Sequence, residues 1–381
     1  MKVVMISPYP RSNVKAGGWE AASHALIQGM VKFIPGLEMH VFDLRRSDKR
    51  EKIKIGTSLF VYRYPMCERF QMVRRGYPER FYIQREIKNL KPDIIHSQNL
   101  GINGLIATSV SHKTVVTIHG IANIENPIIY EKGLPHRKKI SSSFLQMHDR
   151  TTLQRAKIIH HVSQFSEKYY QEIAGTKSVV IPNTVNSIFD SNGACHNREK
   201  TILIIGHISR VKNSIQAIEW LEHVKEFLKD YTIVMAGGFQ CDDAYKEEYL
   251  LKVKNSPLNK QLQFTNALTD EELVVHYRRA RLIISFSRQD NNPLALIQAL
   301  AMSVPILAPR VGGIPEIVSE NSNGYLYDRD NENDFSGKLH NILEESTNER
   351  LRSNCYDYFK QHYAEELIVS KMYQLYQRVC Q

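Results

Sequence analysis

Four short stretches carry residue types that could do chemistry together. The loop GHISRVKN (206–213) places Lys212 six residues after Gly206, with His207 and Arg210 between them. The loop RQDNN (288–292) carries Asp290 into the run PLALIQALAM, which holds Gln298. Gly17 and Gly18 follow the first apolar run, and His119 ends the run VVTIH. An ammonium at Lys212 suits an anion, above all one whose charge grows as a bond breaks. Asn292 is expected to cap the helix after it and Pro293 to take its first position, so that free amides from Leu294 onward face the loop. A helix start of that kind attracts anions. Asp290 before the helix and Gln298 about one and a half turns inside it would flank that anion, with Asn291 and Asn292 lining the loop. A sugar nucleotide has that shape.

Gly17 and Gly18 let backbone amides approach a phosphate or a sugar, although two glycines also suit an ordinary β-to-α turn. His119, followed by Gly120, should emerge at the carboxyl edge of a parallel sheet, where open α/β sheets bind ligands. There it is a candidate acid, base or hydrogen-bond donor. His96, ending DIIHS, is the second choice, and His160 and His161 are read as structural. Ser163 and Asn183 read as turn or cap residues, and Gly312 with Gly313 as a conformational turn. Asp242 and Asp243 sit in a polar loop without further ligands, and no metal is assigned.

These residues need a scaffold of strand ends and helix starts. The runs VVMIS, MHVFDL, DIIHS, KTVVTIHG and IIHHVS alternate with amphipathic stretches, as in a parallel sheet. A second series follows in TILIIGHIS, YTIVMAGG, LQFTNA and LIISFS, after the polar stretch 190–200, which reads as a linker. Ile368, Met372, Leu375 and Val379 form one stripe of a final helix.

A chain of 381 residues exceeds one hydrophobic core, so two α/β domains are expected. No run reads as a membrane span or signal peptide, and a cytosolic protein is expected. Five scattered cysteines without a Cys-x-x-Cys pair read as free thiols. The net charge of +10 is uneven: residues 1–182 hold 28 Lys and Arg against 14 Asp and Glu. The clusters at 45–54 and 69–81 mix cations with aromatic residues, which suits an anionic membrane surface or a lipid-linked acceptor, or simply a solvated basic face. No recognition motif accompanies the charge, so nucleic acid is not an expected partner.

The segment from Leu282 to Val318 resembles the signature of glycosyltransferase family 4, retaining enzymes of the GT-B fold. The family pattern is Glu, seven residues, Glu, then Ala-Met-Ala, a small pair and Pro. This chain has Asp290, seven residues, Gln298, then Ala299, Leu300, Ala301, Met302, Ser303, Val304 and Pro305. The resemblance implies two doubly wound Rossmann-like domains with a cleft between them. The first covers 1–183, with the helix 365–381 packing back on it, and the second covers 184–364. It implies a nucleoside-diphosphate sugar as donor, no cofactor or metal, and a hydroxyl of a glycan or lipid-linked glycan as acceptor. The expected setting is polysaccharide or cell-envelope biosynthesis, at the cytoplasmic face of the membrane.

By the same resemblance Lys212 neutralises the donor diphosphate, Gln298 holds ribose where the family has a carboxylate, Asp290 holds a donor-sugar hydroxyl, and His119 meets the sugar ring. Gly17 and Gly18 match the family's paired glycines. His207 stands where the family has Arg, and Arg210 is the nearest replacement. Two rivals are a nucleotide-sugar epimerase of the same architecture and a non-catalytic GT-B subunit that pairs with an active transferase.

Overall fold

The structure, a computed structural model, describes residues 1–15, 17–45, 47, 49–64, 79–131, 136–190, 198–345 and 349–381, with backbone alone at 79 and 136–145. Strands β1 (Lys2–Ile6), β2 (Glu38–Asp43), β3 (Glu51–Ile55), β4 (Leu59–Arg63), β5 (Ile94–Ser97), β6 (Thr114–Ile118), β7 (Ile158–His161) and β8 (Ser178–Val180) form one sheet. Its order is β3-β4-β2-β1-β5-β6-β7-β8, and every neighbour is parallel except the β3–β4 pair. Around it run α1 (Gly18–Phe33), α2 (Glu79–Leu90), α3 (Gly101–Val110), α4 (Ala122–Ile129), α5 (His136–Arg155) and α6 (Gln164–Ala174). The apolar runs became central strands because they are covered on both faces: Val3, Val4, Met5 and Ile6 are all fully buried.

The second sheet holds β9 (Thr201–Ile205), β10 (Thr232–Ala236), β11 (Leu262–Thr265), β12 (Leu282–Ile284), β13 (Ile306–Pro309) and β14 (Gly324–Tyr327) in the order β11-β10-β9-β12-β13-β14. All its pairs are parallel. Its helices are α7 (Ser214–His223), α8 (Lys225–Leu228), α9 (Asp243–Asn255), α10 (Asp270–Arg279), α11 (Leu294–Ala301), α12 (Glu332–Glu345) and α13 (Glu349–His362). The apolar face of α11 is buried through Leu296, Ile297 and Leu300. The last helix, α14 (Glu365–Cys380), leaves this unit and packs on α1. Gly29 of α1 permits the approach: a Cβ there would stand 2.7 Å from Val369. Ile368, Val369, Met372, Leu375 and Val379 join the core of the first sheet.

One sequence expectation changes. The antiparallel hairpin β3–β4 adds an edge to the expected parallel series, and it uses part of the basic cluster 45–54: Arg45 pairs with Glu20 and Asp43, and Arg50 with Glu86. The cluster 69–81 lies mostly outside the described residues, as does most of the expected linker. His119 stands one residue beyond its strand, as the carboxyl-edge argument requires.

A candidate active site between two switch points

Strand order reverses near the middle of each sheet. In the first it does so between β1 and β5, and in the second between β9 and β12. Strands on either side of such a point send their following loops in opposite directions, which opens a crevice at the carboxyl ends. At the second switch point Gly206, His207, Lys212, Ser285 and Ser287 line a hollow. The loop after β1 reaches across to it, since a Cβ at Gly17 would stand 3.0 Å from His207 Nε2. The two crevices therefore face each other. Gly18, the first residue of α1, has open space around it.

The loop before α11 is the centre of the seam. Lys212 Nζ is ion-paired with Asp290 Oδ2. Asn291 sends Nδ2 to the carbonyls of Ile118 and His119, at 3.3 and 3.2 Å, and its Oδ1 accepts from Ser163. Asn292 Oδ1 accepts from the amide of Asn183 at 2.9 Å, and its carbonyl from Asn183 Nδ2 at 3.1 Å. This corrects the expected cap. Asn292 is engaged across the domains, Pro293 stands at the cap position without a side-chain bond, and α11 begins at Leu294. Leu296 and Ile297 bond back to the carbonyl of Pro293 at 3.1 and 3.4 Å, so only the amides of Leu294 and Ala295 precede the helical ladder, and the anion-attracting end survives without its cap. Gly313 seats the loop, since a Cβ there would lie 1.9 Å from Asn291 O.

Arg210 does not join Lys212. Its guanidinium lies 2.6 Å from Asp242 and stacks 4.5 Å over Tyr245. Asp242 is the N-cap of α9, so that pair closes a helix start. Gln298 is buried with Oε1 3.1 Å from the Tyr277 hydroxyl, and its Nε2 has no protein partner among the described residues. Glu316, unremarked in the sequence, receives the amides of Gln164 and Phe165 at 2.8 Å and so binds the start of α6 to the second domain. Lys15 and Asp270 close another crossing at 2.6 Å.

On the first domain His119 Nε2 meets Gln98 Oε1 at 2.8 Å. Burial pushes its pKa down to about 3, so the ring is neutral near pH 7. His96 is excluded as an alternative because both its nitrogens are occupied. His160 Nε2 lies 2.7 Å from the carbonyl of Ile181, which only accepts, so that nitrogen carries the proton and Nδ1 is an acceptor. Thr117 therefore donates to His160 at 2.8 Å and receives from His96 Nε2 at 2.6 Å, which leaves His96 Nδ1 to accept from Tyr376 at 2.6 Å. The expected structural role of His160 follows from this chain, which runs from α14 to the crossover at Ile181. Sequence reasoning missed Gln98, and also Glu125, whose carboxylate packs against Gly120 beside His119. Among the described residues no three His, Cys, Asp or Glu side chains are placed to hold a metal ion.

Two family profiles tile the chain. Residues 16–187 match Glycosyltransferase Family 4, and residues 189–362 match Glycosyl transferases group 1. A D-inositol 3-phosphate glycosyltransferase of Thermobifida fusca is 25% identical over 61% of the chain, a stretch spanning 56% of that relative's length. Sucrose-phosphate synthase from Thermosynechococcus elongatus superposes with a TM-score of 0.83 at 17% identity, covering 99% of this chain and 98% of that one. HepE of Anabaena in complex with UDP-glucose superposes with a TM-score of 0.73 at 15% identity, over 99% of this chain and all of that one. With the two opposed switch points and the Asp290-to-Pro305 signature, these matches establish that the chain belongs to glycosyltransferase family 4 and has the GT-B fold.

Proposed function

We propose that the protein is a retaining transferase that moves a sugar from a nucleoside diphosphate to a hydroxyl of a glycan or lipid-linked glycan. The observation that carries this reading is the convergence of Lys212, Asp290 and the start of α11 at one switch point, opposite His119 at the other. Lys212 and the amides of Leu294 and Ala295 stabilise the diphosphate as the sugar's C–O bond breaks and charge builds on the leaving oxygen. Asn291, Asn292 and Pro293 fix the loop that presents those amides. Gln298 turns its free Nε2 to the ribose, and Asp290, released from Lys212 by the diphosphate, takes a donor-sugar hydroxyl. His119 meets the ring, Gly17 and Gly18 close over the donor, and His207 stands between loop and diphosphate. The acceptor hydroxyl attacks from the face the diphosphate leaves, and its proton passes to the departing phosphate oxygen.

UDP-glucose in the similar HepE supports a nucleotide-sugar donor. Diphosphate stabilisation by lysine and helix amides supports a metal-independent reaction. The positive charge of residues 1–182 supports peripheral contact with an anionic membrane at its cytoplasmic face, and a place in polysaccharide or cell-envelope synthesis. No described helix is long and apolar enough to cross a membrane.

Calorimetry with UDP, GDP, ADP and CMP, with and without a chelator, tests the donor site. One nucleotide bound despite the chelator is expected, and binding of none would favour the non-catalytic subunit. The anomeric configuration of the product, read by NMR, then tests retention.

A further inference from the structure

Gln98 stands at the end of β5, at the first sheet's switch point, and is 1% exposed. Its Nε2 lies 3.4 and 3.3 Å from the two nitrogens of His96 and 3.6 Å from Met5 Sδ. A point so nearly equidistant from both nitrogens, at that range, lies over the face of the imidazole. The face and the sulfur both attract an N–H and repel a carbonyl oxygen. The amide is thereby oriented, and Oε1 is the atom 2.8 Å from His119 Nε2. An amide oxygen only accepts, so His119 Nε2 carries the hydrogen. Nδ1 is then a bare lone pair, without a protein partner among the described residues.

A second acceptor stands next to it. Glu125 Oε1 receives the amide of Ile121 at 3.2 Å, and the carboxylate lies against Gly120, where a Cβ would be 2.8 Å from it. Its Oε2 has no protein partner among the described residues. Asn291 is bonded to the carbonyl of His119, so this turn and the Asp290 loop are in direct contact.

We propose that Gln98 fixes His119 in its Nε2–H form and, together with Glu125, makes this wall of the cleft a surface of hydrogen-bond acceptors that selects a neutral, hydroxyl-bearing ring and turns away a phosphate ester. Gln98 is a positioning residue here, and Glu125 touches the ring. A hydroxyl donates to Nδ1 or to Oε2, whereas a phosphate dianion has no proton for either and meets the carboxylate's like charge. The inference rests on the donor-site reading, because it places the ring beside a nucleotide held by the second domain.

Two measurements test it on the full chain. In protein labelled with 15N-histidine, the signals absent from His119→Asn should show a protonated Nε2 and a bare Nδ1 at neutral pH. The Gln98→Leu variant should lose that preference. A protonated Nδ1 in the wild type, or an unchanged tautomer in Gln98→Leu, overturns the role of Gln98.

With UDP present, saturation-transfer NMR compares glucose, galactose, mannose, N-acetylglucosamine and myo-inositol with glucose 6-phosphate and myo-inositol 3-phosphate. At least one neutral ring should bind and the phosphates should not. Glu125→Gln keeps an oxygen for the Ile121 amide, so the fold is retained, and it should weaken the neutral ring by about tenfold. UDP affinity should not change. A phosphate bound in preference, no neutral ring bound, or Glu125→Gln matching the wild type overturns the selection. Failure of UDP itself to bind would instead refute the donor-site reading, and the tautomer measurement is independent of it.

Discussion

Lys212 and Asp290 are each other's ion partners, although the proposed reaction needs them on different parts of the donor. Nucleotide binding must therefore separate them, and Asp290 competes with the diphosphate for the ammonium. Asp290→Asn should tighten UDP binding by a few-fold while lowering transfer, and Lys212→Ala should weaken UDP by about 1.5–3 kcal/mol. Calorimetry for binding and product formation for transfer separate the two effects. Equal loss of UDP affinity in both variants would refute the competition.

Gln298 lies where the family carries a carboxylate, and the Tyr277 hydroxyl is already in reach of its oxygen. Gln298→Glu should accept from ribose hydroxyls and tighten UDP by about 1–3 kcal/mol, the strength of a charge-assisted hydrogen bond over a neutral one. Unchanged affinity would mean that the side chain does not touch the nucleotide.

Acid should destabilise the fold in a defined window. His24, His160 and His161 have their pKa values pushed down by burial to about 4, from 6.5. The folded state keeps them neutral, so the unfolded chain takes up more protons once the pH drops below about 6.5. Their contribution is whole above that value and is lost as the pH falls toward 4. For His160, enclosed on all sides, the shift corresponds to about 3 kcal/mol. The melting temperature should be level from pH 8 to 6.5 and fall below it, and His160→Gln should flatten the fall. A melting temperature unaffected between pH 6.5 and 4 would contradict this.

Gly313 has no room for a side chain, since a Cβ would meet Asn291 O at 1.9 Å and Ser163 Cβ at 2.9 Å. Gly313→Ala must push apart the loop and the first domain, at a cost of about 1–3 kcal/mol. A lower melting temperature together with weaker UDP binding is expected. Gly18→Ala, where nothing lies within 4 Å, is the control and should leave the melting temperature unchanged.

Strand runs such as VVMIS and TILIIGHIS were legible because doubly covered strands read as unbroken apolar segments. EKIKI was not, because an edge strand with one apolar face looks like a charge cluster. The Asp290-to-Pro305 spacing located the loop before α11, but the partner of Asn292 was hidden. A cap is local, whereas Asn183 lies 109 residues away. Gln98 and Glu125 were missed for the same reason: an amide's orientation, or a carboxylate's free oxygen, depends on neighbours brought together only by the fold. Arg210 misled because charge and proximity in sequence do not say which carboxylate stands closer.

The packing of α14 on α1 joins Lys32 to Glu365, 333 residues apart. During synthesis the first sheet emerges long before the helix that completes its core, and it must wait with the α1 surface around Gly29 uncovered. The second unit has no such debt, since its strands and helices are contiguous. Assembly is thus expected to run against the direction of translation, the later unit settling first and the earlier one closing last. An exposed apolar face during that interval makes the nascent first unit the part of the chain most prone to aggregate.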